Sequence, residues 1–404
     1  MNSILGTSEG VRHRWKSSNA EARRAAAIAF AAQGASVAAT FTTVPAVQAV
    51  HGLSPLVTTA MMVSVVLAAG AGSFVGLAIV RLVGTVTAMR WAIAAIAAAL
   101  LLIGWAPGQV TVIVAYVLFG LALGGVDVAV NTRAADVERQ YERSVFASFY
   151  AAASVGGILA ALLTAAAAHL EWSVAHILTA HAGLVVTMLL IIRDHPEAPA
   201  APGTTTGVPA APHPVEGRTL WGRLLPFGLV ILVAYVIDST ISAWSTVYLH
   251  QTLRAPLSVA PLAYAAYQVG VVSGRTCADR LIHKIGPPAV VRVATVLAAV
   301  ALAALAAAPG WLFAAAASAL AGLGVSVLTP LCLAAAGRLR PSAAESVLAR
   351  LNLFNYLGVV VGGVVAGVLG SVGYFRVAYA VPAVLAALLV ATARFFARSA
   401  RSSP

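Results

Sequence analysis

The stretch Tyr116-Val-Leu-Phe-Gly120-Leu-Ala-Leu-Gly124-Gly-Val-Asp127-Val-Ala-Val-Asn131 decides how the chain is read; a short charged turn follows it, then Ser148-Phe-Tyr150 and Gly156-Gly157. Most of it is apolar enough to lie in a bilayer, yet a carboxylate stands near one end. At about 100° per residue, Gly120, Gly124, Asp127 and Asn131 share one helix face. Small residues on that face let a neighbouring helix approach closely. A charge at membrane depth costs about 2.5–3.5 kcal/mol to insert, so such a group faces a protein interior or a wet cavity. Asp127 is therefore the first candidate for function.

The rest of the chain has the same character. Of its 404 residues 60% are hydrophobic and 9% charged, with a mean hydropathy of +0.91. A soluble domain carries about 25% charged residues, so the chain reads as a polytopic membrane protein. Twelve apolar stretches are long enough to span: 25–46, 56–80, 91–107, 110–131, 145–168, 174–192, 224–249, 258–279, 289–308, 311–336, 347–370 and 377–396. The first is too long for a signal-peptide core and reads as retained. The expected organisation is a cytoplasmic tail (1–24), a six-helix bundle (25–193), a linker (194–222), a second six-helix bundle (223–396) and a short tail (397–404). The linker is rich in Pro, Ala, Thr and Gly and cannot bury a core.

The net charge of +12 resembles that of a nucleic-acid binder until the charges are placed. Twenty-three of the 25 Lys and Arg residues fall in the inner segments, that is the tails, the linker and alternate loops with the span ends beside them, and only Arg254 and Arg376 lie on the other side. That asymmetry puts both termini in the cytoplasm and leaves no charge needing a nucleic acid. Cys277 and Cys332 lie in apolar segments without metal-ligand or disulfide spacing. Nothing has the pattern of a nucleotide-binding loop, a metal cluster or a nucleophile–base pair, so neither cofactor nor enzyme activity is expected.

The two halves also repeat one another. Gln33, Ser36, Thr40 and Thr43 in span 1 have the spacing of Tyr235, Asp238, Ser242 and Ser245 in span 7, one polar stripe in each. Span 2 ends in Gly72-Ser-Phe-Val-Gly76 before a basic turn; span 8 ends in Gly270-Val-Val-Ser-Gly274 before another. Such repeats place a site near mid-membrane at the interface of the halves.

With these features the chain resembles the major facilitator superfamily along nearly its whole length. The turn Gly274-Arg275-Thr-Cys-Ala-Asp279-Arg280, continuing to Lys284-Ile-Gly286, is similar to that superfamily's loop motif after helices 2 and 8; the first copy keeps Arg81 and Gly84 but lacks the Asp. Within the superfamily the resemblance is to the MosC-like and YbjJ-like branch, related to the fucose permease group. It rests on Gly120–Asn131 with Glu138 and Arg143, on Trp244-Ser-Thr-Val-Tyr248-Leu249, and on Gly322–Pro330 with Asn355-Tyr356-Leu-Gly358 and Gly362-Gly363. The chain departs from that branch at Val44 before Pro45, at Tyr150 where a His is usual, and at Asp238-Ser239 where Glu-Gly is usual. The resemblance implies an all-α fold of 12 transmembrane helices in two pseudo-symmetric bundles. It also implies a gating loop made of Arg81, Gly274, Arg275, Asp279, Arg280 and Lys284.

Candidate site residues follow from depth and stripe. Asp238, midway along span 7, is able to take and release a proton or to contact a ligand; the bland alternative is an acid bonded permanently to a neighbouring helix. Asp127 with Asn131 is either a proton relay or gate, or a packing and capping pair. Gln33, Thr40, Thr43, Tyr150, Ser242, Tyr264, Tyr267, Gln268, Asn352, Asn355 and Tyr356 are expected to line a cavity, the alternative being interhelical polar contacts. His176 and His181, on the peripheral sixth span, are expected at an interface or shielded from lipid, and His169 and Glu171 in solvent. The expected activity is alternating-access transport of a small sugar- or polyol-like solute or metabolite across the cytoplasmic (inner) membrane. Protons and the lipid bilayer would be its partners, the chain acting as a monomer. Efflux of a drug-like or secondary metabolite by proton antiport is the second reading, and a transport-inactive sensor or scaffold the third. Two intramembrane acids would serve no purpose in a scaffold.

Overall fold

The computed structural model of the chain describes residues 3–141, 145–192, 217–337 and 344–390. Among these every regular element is a helix and no strand occurs. The elements of the first half are α1 (Ser3–Thr42), α2 (Val44–His51), α3 (Pro55–Val83), α4 (Thr85–Gly104), α5 (Gln109–Tyr141), α6 (Phe146–His169) and α7 (Val174–Ile191). Those of the second are α8 (Gly217–Gln251), α9 (Leu262–Ile285), α10 (Pro287–Ala306), α11 (Trp311–Val325), α12 (Leu328–Gly337), α13 (Ala344–Ser371) and α14 (Phe375–Leu389).

Ten segments are long and apolar enough to cross a bilayer, and α14 is a shorter apolar helix. The segment expected at 258–279 forms α9, whose second half carries Arg275, Arg280 and Lys284. Two expected spans are broken by proline chemistry. Pro45 has no N–H for the Phe41 carbonyl, so the first span divides at Thr43 into α1 and α2. Pro330 likewise cannot bond Ser326, and the tenth span divides into α11 and α12. Residues 3–24, expected as a tail, continue α1 to its start at Ser3, with Ala22 buried. Arg193 at the end of the first bundle, residues 194–216 of the expected linker, residues 391–404, and Arg143 lie outside the described residues, whereas 217–222 belong to α8.

The repeat read in the sequence is a repeat of packing. In the first half α1 packs on α6, α3 on α5 and α4 on α7; in the second α8 packs on α13, α9 on α11 and α10 on α14. Glycines set these distances. A Cβ on Gly124 would collide with the Ala69 carbonyl, and one on Gly72 with that of Leu121. Gly270 faces the Ala319 carbonyl in the same way. Where no hydrophobic effect drives helix against helix, close van der Waals approach of this kind holds a bundle together.

The bundle has two ends. The basic end carries Arg81, Arg90, Arg139, Arg280 and Lys284, with Arg90 donating to the Ile192 carbonyl at 2.5 Å. The far end joins Gln109 to the His51 carbonyl (2.9 Å) and Arg376 to that of Ala306 (2.9 Å). The halves meet through α6 on α9 and α3 on α13.

Candidate functional site

Asp127 lies on the face that α5 turns towards α1. The close packing of α1 on α6, where Gly34 meets Ala153 and Gly156 meets Ala31, sets where Gln33 stands. Gln33 Nε2 donates to Asp127 Oδ1 at 3.0 Å, and Asn131 Nδ2 donates to the same oxygen at 3.1 Å and to the Asp127 carbonyl at 2.8 Å. The second carboxylate oxygen accepts no hydrogen bond from any described residue. Asp127 is nevertheless exposed. The amides thus orient the carboxylate, and the exposure of Asp127, Tyr150, Asn352 and Tyr356 marks a cleft between the halves.

From Asp127 a polar chain crosses to the other half. Tyr150 on α6 donates to Asn131 Oδ1 at 3.3 Å, and its ring lies 5.7 Å from the Arg275 guanidinium carbon of α9, within cation–π range. Arg275 is in turn within electrostatic reach of Asp238. Asp238 accepts a 2.6 Å hydrogen bond from Tyr267. Tyr235 on α8, partly buried one turn before Asp238, is within electrostatic reach of Tyr150, Asp238, Arg275 and Asp127. Tyr356 on α13 is exposed and within reach of Asp127.

Other residues expected in the cavity divide into two sets. Gln268 and Asn355 are partly exposed and Asn352 exposed. Thr40 and Thr43 are buried instead, because each hydroxyl returns to its own helix: Thr40 to the Ser36 carbonyl at 2.9 Å, Thr43 to that of Ala39 at 2.7 Å. Ser242 and Tyr264 are buried as well, Tyr264 filling the space beside Gly157 where α6 meets α9. In the expected gating loop Arg81, Arg280 and Lys284 are exposed at the basic end, and Gly274 packs on Leu323 and Ser326. The Asp279 side chain lies outside the described residues. Arg275, expected in that loop, points into the cleft, and Tyr235 was absent from the expected lining. A stripe pattern does mark Tyr235, which takes the place of Gln33 in the repeat.

The far end is shut. Gln251 donates to Gln48 at 2.7 Å and Thr59 to the Gly367 carbonyl at 3.0 Å, both between halves. Trp244 donates to the Gly363 carbonyl at 3.0 Å within the second half. The void left among these residues is about 10 Å³, the lower limit for one water. His181 is buried in the first half, where its Nε2 meets Thr164 Oγ1 (2.8 Å), which meets Thr42 Oγ1 (3.1 Å). His176 sits at the far end against Ser173 and Trp105.

A two-fold repeat of helices, closed at one end and holding carboxylates in a cleft between halves, defines the class: a multi-pass membrane transporter. The model of the Major Facilitator Superfamily matches residues 26–309 and 227–404, and the chain belongs to that family. An uncharacterised MFS-type transporter of Yersinia pestis is 26% identical over 298 residues, covering 71% of this chain and 73% of its own. The membrane protein MosC of Rhizobium meliloti is 27% identical over 270 residues, covering 67% of this chain and 64% of its own. Among solved structures, a mutant of the nucleoside transporter NupG superposes with a TM-score of 0.71 at 13% identity, over 93% of this chain and 99% of that one. A bacterial homologue of the human lysosomal transporter Spinster, inward-facing and occupied, gives 0.67 at 12% identity over 94% and 96%. At such identities these structures share the fold alone with the chain.

Proposed function

We propose that the chain moves a small organic solute across the cytoplasmic membrane by alternating access coupled to protons. The basic end faces the cytoplasm, so the far-end seal and the exposed cleft correspond to an inward-facing state. One observation carries the coupling. Asp127 is exposed, and Gln33 and Asn131 both bond its Oδ1 while Oδ2 accepts no hydrogen bond from a described residue, so one oxygen remains for a proton or a ligand donor. Asp238, mid-span and bonded to Tyr267, is the second acid on the path. Protonation of either acid removes a charge from the cleft and eases passage through an occluded state, because burying an unpaired carboxylate costs several kcal/mol.

The test is solute-driven proton movement in proteoliposomes, screened over polyols, hydroxylated carboxylates, amino sugars and amphiphilic cations. A pH change that appears with one ligand class and disappears in Asp238→Asn supports the proposal. Transport unchanged in Asp238→Asn makes that residue structural and leaves Asp127 as the coupling group. Protein that is folded and silent with every class would return the chain to the sensor reading. The sign of the proton movement distinguishes symport from the antiport expected of an exporter.

A further inference from the structure

Arg275 has no structural explanation. It stands on α9 four residues, about 6 Å at 1.5 Å per residue, inside the expected end of its span at 279, where a charge is costly. Its guanidinium carries five N–H donors, yet among the described residues it donates to no acceptor and has no carboxylate within 4 Å. Its guanidinium lies over the face of Tyr150, contributed by the opposite half. The repeat shows that packing does not require it. Gly76 and Gly274 are matched packing glycines, and the residue after the first is Leu77 whereas the residue after the second is Arg275. A cation has been added to one half only, at the junction of both, beside an acid that attracts it without pairing with it.

We propose that Arg275 receives the carboxylate of an anionic solute, so that the transported ligands are hydroxylated organic carboxylates. This inference rests on the transporter reading above and names its substrate class. A guanidinium matches a carboxylate with two parallel N–H···O bonds, and the Tyr150 ring holds its plane. With the carboxylate on Arg275, the hydroxyl-bearing remainder extends towards Asn131, Gln33 and the open oxygen of Asp127. Asp238 is then the resident competitor for the same cation. Neutralising it frees Arg275 for the ligand.

The test uses the purified full-length chain in detergent and follows its unfolding midpoint against gluconate, sorbitol and glucosamine. Gluconate should raise the midpoint saturably, with sorbitol and glucosamine far weaker. Arg275→Gln should weaken gluconate at least tenfold, Arg275→Lys should retain part of the affinity, and Asp238→Asn should tighten it. If Arg275→Gln fails to fold, the Lys and Asn variants carry the test. A midpoint raised equally by sorbitol, or gluconate affinity indifferent to Arg275→Lys and Asp238→Asn, would overturn the inference. So would wild-type protein indifferent to gluconate. None of these outcomes touches the transporter reading, which the flux screen judges separately.

Discussion

Replacing Gly367 by leucine should wedge the far end open. A Cβ there would stand 2.5 Å from Thr59 Cγ2 and 2.6 Å from Trp244 Cζ2, about 1 Å inside the ordinary carbon contact of about 3.5–4.0 Å. Trp244 cannot swing away without losing its bond to the Gly363 carbonyl. Thr59 belongs to the other half, so the relief available is separation of α3 from α13, which is opening. Overpacking costs about 1–3 kcal/mol. Part of that cost comes from Trp244, which accompanies Gly367 in both states, so about 1–2 kcal/mol acts on the closed far end alone. That shifts the ratio of the two states about 5- to 30-fold. The assay compares labelling by an impermeant thiol reagent at Asn352→Cys, exposed at the basic end, and at Thr58→Cys, buried in the far-end seal. Both are placed in a Cys277→Ser, Cys332→Ala background. Gly367→Leu should lower the first rate relative to the second by the stated factor. An unchanged ratio in protein of unaltered thermal midpoint would refute the reasoning.

Two further substitutions probe what holds each half together. Gly124→Ala should lower the thermal midpoint, since its Cβ collides with the Ala69 carbonyl. Gly183→Ala has open space around it and should raise stability by about 0.5–1 kcal/mol. Thr164→Val removes the hydroxyl linking Thr42 to His181 and leaves a buried imidazole nitrogen unsatisfied, costing about 1–3 kcal/mol. Thr164→Val with His181→Leu should recover most of that loss, and a double-mutant cycle of unfolding midpoints measures the recovery.

Much of this molecule is legible before folding because a bilayer leaves few choices. A long apolar run becomes a helix since its backbone has no other partner in lipid, and the paired Gly72/Gly76 and Gly270/Gly274 motifs announce the close contacts that organise each half. Periodicity reports which face of a helix is polar, but not what that face meets. The stripe through Gln33, Ser36, Thr40 and Thr43 is real, yet three of its four members bond their own backbone, while Gln33 reaches Asp127 on α5. Arg275 illustrates the same limit from the other side. Its neighbours in sequence belong to a loop motif, and only the crossing of α6 with α9 turns it against Tyr150. The breaks at Thr43 and Ser326 were readable from Pro45 and Pro330, whose missing N–H groups sit inside otherwise continuous apolar runs.

The most direct test of proton coupling compares two transport modes of one variant, Asp127→Asn, in proteoliposomes loaded with a ligand identified by the flux screen. Exchange of labelled for unlabelled solute needs alternating access but no net proton movement, whereas accumulation against a gradient needs both. The variant keeps the shape of the site and its hydrogen bonds to neighbours while removing the titratable group. Exchange near the wild-type rate with gradient-driven accumulation abolished is the predicted result. Accumulation equal to wild type would contradict the role given to Asp127 and leave it a carboxylate held by Gln33 and Asn131 for packing alone.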